Sequence, residues 1–128
     1  MKKLFTVILA ALGISAGACA QSPYKDVDVN GFEQIIKSDS VQLVDVRRAD
    51  EFAEGHIPGA IHIDVLTPSF LSVALTKLDK HRPCAVYCRS GKRSAMAAAL
   101  LAKEGFTVTN LSGGILAWTE AKKKIVKD

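Results

Sequence analysis

The chain is predicted to be an α/β protein with a mostly parallel central sheet and helices on both faces. Three observations carry this. Short apolar, β-prone runs recur along the chain, each followed by a segment of helical composition, which is the pattern of parallel strands joined by crossover helices. Helix-start and helix-stop residues punctuate those segments at the expected places. One strand-like run, Cys84-Ala85-Val86-Tyr87, passes through a short loop directly into an Ala- and Leu-rich stretch, and ligands of such sheets bind at the carboxyl ends of strands.

The elements follow in order. Tyr24 to Val27 suits a short first strand. Asn30 with Glu33 three residues later reads as a capping box for a helix through about Lys37. Val41-Gln42-Leu43-Val44 is a strand whose end delivers Asp45 and Arg47 to a loop. Arg48 to Ala53 can form a short helix stopped by Gly55, and Gly55-His56-Ile57-Pro58-Gly59-Ala60 is turn chemistry before a strand Ile61-His62-Ile63. Thr67-Pro68 is an N-cap and first-turn pair for a helix through about Leu78. Pro83 marks entry to the strand Cys84 to Tyr87. The helix after the loop, Ser94 to Glu104, stops at Gly105, a C-terminal cap glycine. Thr107-Val108-Thr109 is a last strand, and Gly113-Gly114 opens a last helix containing Trp118.

Residues 1–20 read as a secretory signal peptide: Lys2 and Lys3, the apolar run Leu4 to Ile14, then small residues to Ala18-Cys19-Ala20. The apolar stretch is short of the roughly 20 residues a membrane-spanning helix needs. Cleavage after Ala20 fits the small-x-small rule, with lipidation of Cys19 as the alternative; both lead to export, to the periplasm, and only the second leads to a membrane. Residues 21–128 are then one domain. Loss of Lys2 and Lys3 leaves 15 basic residues against 13 acidic, a net charge of +2 rather than +4. Lys122-Lys123-Lys124 reads as a solvated helix end, and without interleaved aromatics it does not point to nucleic acid.

The stretch Cys88-Arg89-Ser90-Gly91-Lys92-Arg93-Ser94 carries the chemistry. A tight loop between a strand and a helix aims several backbone N–H groups at one spot, with the helix dipole behind them. Arg89, Lys92 and Arg93 add positive charge, so Cys88 should be a better thiolate than a free cysteine, and the thiolate is the nucleophile. Export makes a Cys84–Cys88 disulfide conceivable. On one extended strand, however, their Cα atoms would be roughly 13 Å apart at about 3.3 Å per residue, against less than about 7 Å for a bridge. Cys84 is therefore packing and Cys88 stays available.

Three blocks together resemble the rhodanese (sulfurtransferase) family across about Asp28 to Ala121. They are Asp45-Val46-Arg47 with Glu51-Phe52 and Gly55-His56-Ile57-Pro58-Gly59-Ala60; Val86-Tyr87-Cys88 with its loop; and Ser112-Gly113-Gly114 leading to Ala117-Trp118. The resemblance implies a rhodanese-like domain in which Cys88 takes a sulfane sulfur as a persulfide and passes it to a nucleophilic acceptor. It implies that the N–H groups of Arg89 to Arg93, including those of Ser90, Gly91 and Lys92, with Ser94 closing the loop, cradle the anionic sulfur. The loop cations would either attract an anionic donor such as thiosulfate or lower the Cys88 pKa. A thiol or cyanide-like acceptor, or a sulfur-accepting protein, is the implied partner; no metal or organic cofactor is implied.

Two rivals remain. Phosphatases of the dual-specificity type and arsenate reductases close a wider loop with an Arg six positions after the Cys, where this chain has Ser94 and so lacks the clamp for phosphate oxygens. A non-catalytic or sulfur-carrier module acting by protein binding is the other; such modules typically lose the cysteine. Asp45 and Arg47 are expected to form a supporting hydrogen-bonded pair near the site. His56 is placed in a structural turn rather than as a general base. His62 and His81 have no metal-like spacing, and Trp118 is packing.

Overall fold

A computed structural model describes residues 22–127. The signal-peptide reading of residues 1–20, and with it Cys19, lies outside the described residues.

Five strands form one parallel sheet: β1 (Lys25–Val27), β2 (Gln42–Asp45), β3 (Ile61–His62), β4 (Cys84–Tyr87) and β5 (Val108–Leu111), in the order β1-β5-β4-β2-β3. The helices are α1 (Val29–Ile36), α2 (Ala49–Glu54), α3 (Phe70–Lys77), α4 (Lys92–Lys103) and α5 (Gly114–Glu120). This is the expected fold class.

The alternation of side chains along each strand sorts the core into two layers. Val44, Cys84, Val86, Cys88 and Val108 face α3 and α4, meeting Phe70, Ala74, Ala97, Ala98 and Leu101. Leu43, Ala85, Tyr87 and Leu111 face α1 and α5, meeting Phe32, Ile115 and Trp118. Phe32 stands edge-on to both Tyr87 and Trp118, at 6.4 and 6.3 Å between ring centroids. Full burial of one such ring contributes on the order of 2–3 kcal/mol. Both central strands, β2 and β4, are buried along their whole length, as a sheet covered on both faces requires.

Several boundaries differ from those read in the sequence, each for a local reason. Helix α1 is capped by Asp28, whose carboxylate accepts the Gly31 N–H at 2.8 Å, so Asn30 lies inside the helix. Thr67-Pro68 does not start α3. The Thr67 hydroxyl donates back to the Asp64 carbonyl at 2.9 Å and the Asp64 carboxylate accepts the Leu66 N–H at 2.8 Å, so this segment is a turn. The helix begins at Phe70. Helix α4 starts at Lys92 rather than Ser94, because Gly91 turns the chain with φ +108° and its carbonyl accepts the Ala95 N–H. Strand β5 runs to Leu111 because it pairs on both sides, Asn110 with Val86 and Leu111 with Val27. Gly105 does terminate α4, with its N–H and that of Phe106 bonded to Ala102 and Leu101 carbonyls.

Candidate active site

The register Asp45–Tyr87 and Val86–Asn110 brings the carboxyl ends of β2, β4 and β5 level. Cys88 follows β4 at that level, and the chain turns over it within three residues. Its Sγ accepts the Gly91 N–H at 3.1 Å and the Ser94 hydroxyl at 3.3 Å. The thiol is 1% exposed. Burial pushes its pKa up, but the hydroxyl of Ser94 and the peptide N–H groups of Ser94, Gly91 and Ser90 outweigh it and hold Cys88 below the ordinary thiol range. Hydrogen bonds, rather than the loop cations, are therefore the principal stabilisers of the thiolate.

The cations divide. Arg89 and Lys92 are exposed at the rim, and among the described residues neither has a carboxylate partner. Arg93 is turned toward α2, where its two Nη atoms grip both oxygens of Glu51 at 2.7 and 3.0 Å. That fork holds the Glu51 carboxyl down at about 2. Of the three cations expected either to attract a donor or to lower the Cys88 pKa, Arg93 is already engaged, because a carboxylate fixed within reach outcompetes solvent for its planar fork.

The third sequence block supports the loop from behind. The N–H groups of Ile115 and Leu116, in the first turn of α5, donate to the carbonyls of Cys88 and Arg89 at 2.9 and 3.2 Å. With those carbonyls bound on the far side, the loop's N–H groups are left to face the sulfur. Gly114 makes the approach possible. It has φ +59°, and a Cβ there would lie 2.3 Å from the Arg89 carbonyl oxygen. Sequence reasoning placed Gly113-Gly114 only as a helix opening and missed this role; the signal lay in the doubled glycine.

Asp45 and Arg47 lie buried at the end of β2. Arg47 Nη2 meets Asp45 Oδ2 at 2.6 Å and the Gly55 carbonyl at 2.7 Å, and Nε reaches both Asp45 oxygens. Burial works against the Arg47 charge, and Asp45 more than compensates. The pair ties β2 to the turn after α2. The Tyr87 hydroxyl completes the tie by accepting the Ile57 N–H at 3.0 Å. His56 is buried in that turn, stacked on Phe52 at 3.8 Å with Nδ1 2.9 Å from the Phe52 carbonyl. His62 Nε2 bonds the Arg47 carbonyl at 2.6 Å. Among the described residues no group of three His, Cys, Asp or Glu side chains could hold a metal ion.

A buried thiolate at a strand end, ringed by N–H donors and opened by a cationic rim, can hold a second anionic sulfur and discharge it to a nucleophile. Known proteins similar to this chain are named for sulfur transfer in general. Residues 28–121 match the model of the rhodanese-like domain. A thiosulfate sulfurtransferase GlpE from Shewanella oneidensis is 39% identical over 101 residues, which is 78% of this chain and 97% of the relative. A sulfurtransferase from Allochromatium vinosum is 36% identical, over 73% of this chain and 86% of its own. A rhodanese-related protein from Thermoplasma volcanium superposes with a TM-score of 0.72 at 28% identity, covering 82% of this chain and all of its own. The chain belongs to the single-domain rhodanese-like sulfurtransferase family.

Proposed function

We propose that the protein moves a sulfane sulfur from an anionic donor such as thiosulfate to a thiophilic acceptor through a persulfide on Cys88. The observation that carries the reading is the Cys88 Sγ held by the Gly91 N–H and the Ser94 hydroxyl at the start of α4. The Cys88 thiolate attacks the donor's outer sulfur, and the donor's S–S bond breaks with its electron pair leaving on sulfite. The loop's N–H groups, from Arg89 to Arg93, take up the negative charge on the new terminal sulfur. Arg89 and Lys92 draw the donor in by charge. A nucleophile such as cyanide or a thiol, free or carried on a sulfur-accepting protein, then takes that sulfur and returns the thiolate. Asp45 and Arg47 hold the β2 end of the site in place. The leader pattern at residues 1–20 supports work outside the cytoplasm, in the periplasm.

Intact mass of the mature protein, before and after thiosulfate, tests the reading. The expected result is a gain of one sulfur, lost on adding cyanide and absent in Cys88→Ser. No adduct on reduced, folded protein would overturn thiosulfate as donor. The same spectrum reads whether the chain begins at Gln21 or carries lipid on Cys19.

A further inference from the structure

Glu51 lies 42 residues from Arg93 in the sequence, yet the two make a two-point ion pair across the gap between α2 and the active-site loop. The side chains are only 13% and 20% exposed. Glu51 is itself fixed: Oε1 accepts the Arg48 N–H at 3.1 Å, and the Arg48 guanidinium stands 3.8 Å from the same oxygen. Arg93 is close enough to the site for the Cys88 sulfur and Asp64 to add, after Glu51, to the pull on its charge. A guanidinium in the first turn of the helix that follows Cys88 would, if free, add to the attraction of the site for an anion. Here both carboxylate oxygens of Glu51 occupy its fork.

We infer that Glu51 is a specificity-determining residue, setting how strongly the site holds anions by neutralising Arg93 while leaving Arg89 and Lys92 free. This deepens the reading of Cys88 as a nucleophile toward an anionic donor and rests on it. The physical consequence is a moderated grip. A site with three free cations would bind a dianionic donor more tightly, and would hold the dianionic product sulfite more tightly too. Glu51 keeps one cation out of that balance.

The test needs no knowledge of the physiological donor. Cys88 is alkylated with iodoacetate, an anion, and with iodoacetamide, its neutral counterpart, and the ratio of the two rates is taken. Glu51→Gln is expected to raise that ratio about fivefold, the effect of roughly 1 kcal/mol from one freed, partly screened charge. Glu51→Asp, which keeps the charge, should stay near wild type. In the Arg93→Gln background the Glu51→Gln effect should vanish. With thiosulfate as donor, Glu51→Gln should lower KM by a similar factor.

An unchanged ratio in Glu51→Gln, or a change that persists without Arg93, overturns the inference. Slowing of both reagents alike would do so too, since it marks a distorted loop rather than an altered charge. Glu51→Ala repeats the measurement should the Gln variant not fold. The alkylation ratio is independent of sulfur transfer. Failure to form a persulfide in the wild type therefore strikes the donor assignment, while a flat ratio strikes Glu51 alone.

Discussion

Cys84 and Cys88 stand at the two ends of the same strand, on the same face, in the same core layer, and both are 1% exposed. Their chemistry is opposite. Burial pushes the Cys84 thiol up to about 11, relieved only slightly by Arg82. Its nearest donor is the Gln42 amide, at 3.6 Å. Cys88 suffers the same burial and yet is lowered, because a peptide N–H and a hydroxyl converge on it. The difference teaches that the acidity of a thiol here belongs to the place and not to the residue or its exposure. The entry end of the strand offers its thiol packing neighbours and one long amide contact. The exit end, where the chain turns into a helix, offers donors that have no other partner.

The largest perturbation removes the geometry that builds the exit end. Gly114→Ala drives a methyl group into the Arg89 carbonyl and should cost on the order of a hundredfold in persulfide formation, the penalty of displacing a reacting atom by about 1 Å. A near-normal rate would mean that α5 does not shape the loop. Ser94→Ala deletes one donor and leaves the rest. Alkylation of Cys88 at pH 7 should slow about tenfold, the worth of one hydrogen bond to a charged acceptor. The midpoint of its pH profile should move up toward that of a free thiol, making Cys88 more like Cys84. The mildest change is at the other end. Cys84→Ala should lower stability by about 1 kcal/mol in urea unfolding and leave the Cys88 alkylation profile where it was. A shifted profile would show that the two thiols are coupled through the strand.

Much of this was legible beforehand because it is local. Strand β4, the loop and the start of a helix within a few residues are enough to mark Cys88 as the place where hydrogen-bond donors converge. The separation of the cysteines along one strand was readable from extended-chain geometry alone, and both are free in the structure. What could not be read is what comes from afar. Nothing near Arg93 announces that a carboxylate 42 residues away will occupy it. Nothing near Gly114 announces the carbonyl it must pass. Caps failed for a different reason. Asp28 and Asn30 are both good N-cap residues, and the choice fell to Asp28 because β1 ends at Val27 and leaves the next residue free to turn. Thr67-Pro68 lost to Asp64, whose carboxylate and carbonyl reach the turn first.

The bonds from Ile115 and Leu116 to the carbonyls of Cys88 and Arg89 have a consequence for the life history of the chain. A ribosome makes the loop well before it makes α5, so the half-made polypeptide carries Cys88 without the support behind it. At that stage the cysteine is an ordinary thiol, mostly protonated at neutral pH. The bonds that brace the loop from behind are complete only once α5 has been made. The loop and the helix that braces it are thus made at different times, and the site is assembled only when both are present.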